Sequence, residues 1–365
     1  MTDFANADRL QRSAPQLPVS WYFDPEIFAR EQASLFANGP RYVGHELLVP
    51  KVGDYMTLES TEHGKVLVRG DDGVNLLSNV CRHRQSLLLD GRGHRKSIVC
   101  PVHHWTYDLG GRLLGAPQFP CTPDKPLENT SLQNWQGLLF AGPRDVARDL
   151  GDFSLAADYD FSGFVFERMI VDECPFNWKT FLEIYLELYH VEPYHGGLQR
   201  FVDAGNYEWG FGERWSFQIM GIKDEFKHQV SPNYLRYRDA LLAYSGGKLP
   251  KYATVWSIYY PNVMLEWYPF CLAVSSLIPR SAQHTSNFVE FYYPEEVALF
   301  ERELVEAHQA AYAESAAEDA QICRLLHRGR RALWLAGQDD AGPYQCPSED
   351  GMIHFHEFVR RSLGS

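Results

Sequence analysis

The alternation of apolar and polar positions changes character twice along the chain. DPEIFAREQASLF, between about Pro25 and Asn38, spaces its apolar residues helically and predicts a short helix within an N-terminal segment, residues 1–40. From about residue 41 to residue 150 the pattern turns to short strand-like runs: YVGHELLVP, DYMTLES, GKVLVRG, GVNLLSNV, KSIVC and LLFAG. Gly, Asp and Pro punctuate them, as expected of a small antiparallel β domain. Residues 151–365 mix both periods. FSGFVFERMIVDE reads as a strand pair and NWKTFLEIYLELYH as a helix. RWSFQIMGI, ATVWSIYYP, VMLEWYPF, LAVSSLIPR and NFVEFYYP read as strands of one sheet. A long helix or helix pair follows from Pro294 to about Gly337, and HFHEFVRRSL closes the chain helically. The expected class is α+β: an N-terminal all-β domain, then an antiparallel sheet with helices.

Composition narrows the function. Hydrophobic residues make up 45% of the 365 and charged residues 22%, an ordinary globular balance. The net charge of -13 argues against a nucleic acid or an anionic membrane as partner. No run of 18 apolar residues occurs, and the leading segment, with Asp3 and Asp8, lacks the apolar core of a secretory signal. A cytoplasmic protein is expected. Of seven cysteines, Cys121, Cys174, Cys271, Cys323 and Cys346 are scattered singly, as free thiols would be.

The other two carry the strongest chemical signal. Cys81-Arg82-His83 is followed, after sixteen intervening residues, by Cys100-Pro101-Val102-His103. Two thiolates and two imidazoles can hold zinc or an iron–sulfur cluster. Each Cys has its own His close behind it in a β-type loop, whereas a zinc finger places both cysteines first. The second loop continues CPVHHWTYDLGG and resembles the Rieske domain of ring-hydroxylating oxygenase alpha subunits, whose pattern there is CPxHGWxYDxxG. His104 stands where that family has Gly, and Gln85 departs from its HRG after the first His. In a Rieske [2Fe-2S] centre one iron takes the cysteines and the other the histidines, which sets the potential at roughly -150 to +300 mV.

A second cluster follows about 90 residues later in the stretch from Asn177 to His195. On a continuous helix Glu183, Glu187 and His190, at i, i+4 and i+7, share one face. His195 would sit well round from them, but Pro193 disfavours continuation, and a bend there could return it to the same point. Two histidines supply the neutral part of a two-His, one-carboxylate iron site. For the carboxylate, Asp319 shares a helical stripe with Ala316, Ile322, Cys323 and Leu326, where a charge is costly unless paired; Glu318 competes, lining up with Ile322 and Leu325. Of the remaining histidines, His63, His228, His284, His308 and His327 read as core or surface residues, and His354 and His356 as packing or supporting ones.

This stretch resembles the catalytic domain of the same alpha subunits, NWKxxxEN followed by (D/E)xxHxxxxH, and the likeness extends to the closing GPYQCPSEDGMIHFHEF. The resemblance implies a helix-grip catalytic domain, with Cys81, His83, Cys100 and His103 holding the cluster and His190, His195 and Asp319 holding a mononuclear Fe(II). It implies that Glu187 bridges to His103 of a neighbouring subunit in a homotrimer; Ile184 replaces the family's Asn. It further implies a separate NAD(P)H-dependent reductase, with or without a ferredoxin, and hydroxylation or oxidative demethylation of a small substrate with O2. The chain has no G-x-G-x-x-G unit of its own for hydride chemistry. Trp256, Tyr259, Tyr260, Trp267, Tyr268 and Phe270 cluster in the late strands. They could cage a quaternary ammonium beside Glu266, stack on an aromatic acid, or fill the sheet core. A Rieske electron-transfer or redox-sensing protein without oxygenase activity is the competing class, and a zinc-stabilised binding protein the third.

Overall fold

The computed structural model describes residues 15–58, 61–223, 231–248, 250 and 252–364. His228 and the leading segment with Asp3 and Asp8 lie outside the described residues. Two compact units divide the chain, residues 38–148 in one and residues 15–37 with 149–364 in the other.

Short strands build the first unit: β1 (Arg41–His45), β2 (Asp54–Thr57), β3 (Lys65–Gly70), β4 (Gly73–Ser78), β5 (Arg92–His94), β6 (Ile98–Val99), β7 (Thr106–Tyr107), β8 (Leu113–Gly115), β9 (Asn129–Thr130), β10 (Leu132–Trp135) and β11 (Leu138–Ala141). They pair as β5-β2-β3-β4-β9, β1-β11-β10 and β6-β7-β8, antiparallel throughout. Strand β3 is central, and its alternation shows why it is apolar on both sides. Val66 and Val68 face a core containing Leu77, Ile98, Trp105, Tyr107 and both Cys81 and Cys100, while Leu67 is buried on the opposite face.

The second unit is organised by a seven-stranded antiparallel sheet: β12 (Phe164–Cys174), β13 (Val202–Phe211), β14 (Trp215–Ile222), β15 (Thr254–Tyr259), β16 (Val263–Tyr268), β17 (Cys271–Ser281) and β18 (His284–Pro294). Its order is β12-β18-β17-β16-β15-β14-β13. FSGFVFERMIVDE, expected as a strand pair, forms one strand with a bulge between Phe166 and Arg168, and β13 was not anticipated. Register carries one row of side chains across the sheet on a single face: Trp209, Gln218, Trp256, Glu266, Ala273 and Phe291. Among the described residues the α-helices of seven or more residues are α1 (Pro25–Glu31), α2 (Trp178–Tyr185), α3 (Pro232–Tyr244), α4 (Arg302–Leu335) and α5 (Asp350–Leu363). Helix α4 grips this face, with Tyr312 edge-on to Phe291 at 5.0 Å and His308 against Tyr268 at 4.9 Å. Among the described residues no helix is long and apolar enough to cross a membrane.

Helix α2 sets up the site. Asn177 caps it, accepting from Lys179 N–H at 2.9 Å and donating to the Tyr22 and Ala282 carbonyls. Lys179 and Glu31, both fully buried, pair at 2.5 Å, and Trp178 Nε1 donates to the same carboxylate at 2.9 Å, which fastens α1 to α2. The predicted helix does not run on to His190. Gln218 Nε2 donates to the Tyr185 carbonyl at 2.7 Å, and the Leu188 amide goes to the Ser348 carbonyl at 2.9 Å. Tertiary partners thus take the backbone groups that further turns would have used. Glu187 and His190 therefore leave the face that Glu183 occupies. Pro193 breaks nothing, because it lies in the first turn of a separate one-turn helix, Val191–Tyr194, where its missing N–H costs little.

Candidate metal centres

The two cysteine–histidine loops of the first unit are built alike. Cys81 N–H donates to the Ser86 carbonyl and Gln85 N–H to the Cys81 carbonyl, at 2.8 and 3.1 Å. Cys100 N–H donates to the Trp105 carbonyl and His104 N–H to the Cys100 carbonyl, at 2.8 and 3.0 Å. Gln85 and His104 have φ of 56° and 58°, the left-handed region that favours glycine. This accounts for the glycines of the family pattern; a side chain there costs roughly 1 kcal/mol. Cys81 and Cys100 are buried, His83 is half-buried and His103 is exposed. The two imidazoles lie 4.6 Å apart, and Trp105 stacks on His83 at 5.0 Å. Tyr107 OH sits 3.6 Å from Cys81 Sγ and accepts from Arg82 N–H at 3.1 Å.

Two observations test these residues against a metal group. His83 Nδ1 is buried with no hydrogen-bond partner, an orphan that a metal bond would satisfy. A single tetrahedral zinc would draw four such donors within about 3.8 Å of one another. Among the described residues only His190, His195 and Asp319 bring three donors within 4.8 Å of one another, so the loop donors do not converge on one ion. A two-iron cluster, with the cysteines on one metal and the histidines on the other, needs that wider spread.

The second unit assembles the other centre. His190 and His195 place their Nε2 atoms 3.0 Å apart, and Asp319 Oδ1, from the middle of α4, lies 3.3 Å from the first and 3.0 Å from the second. Asp319 Oδ1 is buried and, despite this closeness, makes no well-angled hydrogen bond to either ring. Metal bonds of roughly 2.1 Å meeting at right angles separate their donors by about 3.0 Å, which matches this triangle. A carboxylate holds the outer nitrogen of each ring. Glu187 Oε1 takes His190 Nδ1 in a short contact while its Oε2 accepts the His190 N–H at 3.0 Å, and Glu318 Oε2 lies 2.6 Å from His195 Nδ1.

The electrostatics favour a cation at the centre. Burial alone would lower the His190 pKa, yet the Asp319 and Glu187 carboxylates lift it to about 9. His195 is raised against the same burial by Asp319 and Glu318. Burial would push the Asp319 carboxyl up, but the two imidazoles hold it below its ordinary value. Glu318, weighed in the sequence as a third ligand, instead orients an imidazole from behind. Replacing it by Gln is expected to weaken iron retention by about 10- to 100-fold, measured by metal content after graded chelation, with the fold unchanged.

The triad opens on a cavity of about 490 Å³. Its walls are largely apolar and aromatic, with Tyr185, Trp256, Tyr268 and Tyr312, and they include the carboxylates of Glu266 and Asp172. Of the six aromatics singled out in the sequence, Trp256 and Tyr268 reach this cavity. Tyr259 donates to Asp149 instead, Tyr260 stacks on Phe358, Trp267 packs on Tyr252 and Phe270 on Tyr244.

Residues 41–134 match the Rieske [2Fe-2S] domain family, and residues 154–365 match the family described as ring hydroxylating alpha subunit (catalytic domain). The chain belongs to the Rieske non-heme iron oxygenases, as an alpha subunit. It is 52% identical over 363 residues to a putrescine 2-hydroxylase of Ralstonia nicotianae, spanning all of both chains. It is 46% identical to a putrescine 2-hydroxylase of Bordetella bronchiseptica, over all of this chain and 88% of the other. A solved quaternary ammonium Rieske monooxygenase shares the fold, with a TM-score of 0.78 at 22% identity over 96% of each chain. As a Rieske oxygenase the chain has a [2Fe-2S] domain and a catalytic domain of the mononuclear iron type. Sequence reasoning gave Glu318 a different task and passed over Asp172 and Asn287, whose strands carry several polar residues each and so offered no distinguishing signal.

Proposed function

We propose that this alpha subunit is the terminal oxygenase of a multicomponent system that hydroxylates a small aliphatic amine of the putrescine type. The observation that carries the reading is the convergence of His190, His195 and Asp319 on an aromatic-lined cavity that also contains the buried carboxylate Glu266. Identity to two putrescine 2-hydroxylases along the whole chain supports it. Neither relative is named for an aromatic acid, the other substrate class weighed from the sequence.

In this reading Cys81, His83, Cys100 and His103 hold the cluster, and His190, His195 and Asp319 hold the iron. When bound, these groups supply electron transfer and the activation of O2. The chain's own residues fix and isolate them. Glu187 and Glu318 lock the two imidazoles in the orientation that turns Nε2 inward. Trp105 and Phe119 shield His83. The cavity walls keep water from the substrate. A separate reductase supplies electrons in a cytoplasmic homotrimer, where the exposed His103 meets Glu187 of a neighbouring copy. The boundaries of residues 1–40, 41–150 and 151–365 correspond to the leading segment, the relay and the catalytic part.

The reading is tested with purified enzyme, a surrogate reductase and a panel of amines, scoring hydroxylated product together with O2 uptake. Putrescine is expected to yield product in step with uptake; uptake with no product from any amine would sink it. Glu187→Gln should keep the cluster spectrum and its reduction by the donor but slow cluster reoxidation in a single turnover by about 10- to 100-fold. Unchanged reoxidation would remove Glu187 from the relay.

A further inference from the structure

Glu266 is 3% exposed, lines the cavity and, among the described residues, has no lysine or arginine as partner. Two hydroxyls fix its carboxylate: Tyr268 OH donates to Oε2 at 2.7 Å and Ser275 Oγ to Oε1 at 2.9 Å. Trp256 Nε1 donates in turn to Tyr268 OH at 3.0 Å, which holds that donor in place. A carboxylate has about four lone-pair sites, so each oxygen can still accept another N–H. An unpaired charge at this depth is costly, and burial pushes the Glu266 pKa up. An arriving cation would reverse both effects. Tyr185, Trp256, Tyr268 and Tyr312 line the same space, and aromatic rings around a cavity favour a cation.

A second polar feature lies on the same face of the sheet. Asn287 is 4% exposed and lines the cavity, and its Oδ1 is buried without a partner. Its cross-strand neighbour Asp172 lines the cavity too. Ser275, which touches Glu266, pairs with Val289, two residues along β18 from Asn287. On ideal sheet spacings the Cα atoms of Ser275 and Asn287 are then roughly 8 Å apart. Because Ser275 Oγ holds the Glu266 carboxylate at 2.9 Å, the spacing of these two backbone positions sets the scale of the gap between the acceptors, comparable with the reach of a short diamine.

We propose that Glu266 is the counter-ion of one substrate ammonium and that Asn287 accepts from a second amino group, so that the cavity selects a short aliphatic diamine. The proposal rests on the amine-hydroxylase reading above and deepens it. Both acceptors call for N–H donors, which a quaternary ammonium lacks. Primary amines are therefore preferred to trimethylammonium compounds.

The test uses the full-length holoenzyme and its Glu266→Gln and Asn287→Leu variants, each checked for wild-type cluster absorption and iron content. Putrescine, butylamine and carnitine are titrated by calorimetry and by the rise in Tm on saturation, and KM and kcat are measured with a reductase. Wild type is expected to bind putrescine more tightly than butylamine and carnitine least. Glu266→Gln should weaken putrescine and butylamine alike by roughly 30-fold or more, mainly in KM. Asn287→Leu should weaken putrescine by roughly 10-fold and spare butylamine. Wild-type putrescine affinity in Glu266→Gln would overturn the counter-ion; equal losses for both amines in Asn287→Leu would overturn the second anchor. Either result with wild type still binding amines leaves the amine-hydroxylase reading standing. Failure of wild type to bind any amine would instead sink that reading.

Discussion

Replacing His190 by alanine is expected to remove the mononuclear iron and all substrate hydroxylation while leaving the cluster's visible absorption intact. The reason is geometric. Three donors 3.0 to 3.3 Å apart form one face of a coordination shell, and removing one leaves two ligands on a face that needs three. Asp319→Ala should behave alike and also leave two imidazoles with no anion between them. Loss of hydroxylation to background, on the order of 10³-fold or more, is the kinetic expectation. Metal analysis, absorption spectra and product formation on the same samples check it. A His190→Ala enzyme that still hydroxylates would exclude the triad as the oxygen-activating centre. Loss of the cluster spectrum as well would mean that the substitution had unfolded the chain, and Asp319→Ala then decides.

The second large effect is on stability. Glu183, expected from the sequence to share a face with Glu187, is fully buried elsewhere. Its carboxylate meets Arg330 at 2.6 Å and His356 Nε2 at 3.0 Å and receives a short hydrogen bond from Tyr22 OH. Arg330 also stacks over the Tyr22 ring at 4.0 Å. Glu183→Ala would leave that largely buried guanidinium with Thr180 Oγ1 but no carboxylate, at a cost of about 3 kcal/mol. Thermal unfolding should show a fall in Tm on the order of 10 °C. The double variant with Arg330→Met should recover much of it, because the orphaned charge is gone. Burial alone would raise the Glu183 pKa, but Arg330 and His356 hold it down at about 2. A depressed carboxylate stabilises the fold fully above its ordinary value near 4.5 and loses that contribution as the pH falls toward 2. Wild type should therefore lose stability across this window more steeply than Glu183→Ala. Equal slopes would show that Glu183 carries no such coupling.

Local order in the chain already specified a good deal. The cluster loops could be read because each donor pair sits within a single tight turn, Cys81 to His83 and Cys100 to His103, so spacing marked a metal site and the resemblance of the second loop implied iron–sulfur rather than zinc. The late strands and the long helix of α4 were visible in their periods. What happens after Tyr185 was not. A side-chain amide 33 residues away, Gln218, and a carbonyl near the far end of the chain, Ser348, end the helix there. Sequence period records what a backbone prefers, not which distant group will take its hydrogen bonds.

The same limit decided the centre itself. Residue types and spacing nominated His190 and His195 and left Asp319 in contest with Glu318. Only the docking of α4 on the sheet turned Asp319 toward both imidazoles and put Glu318 behind His195. Glu266 is one acid in an apolar strand of the sequence, yet its place beside Trp256 and Ala273 on the cavity face is a fact of strands in register. Short-range order is written in neighbouring residues; the meeting of groups more than a hundred residues apart depends on how whole elements pack.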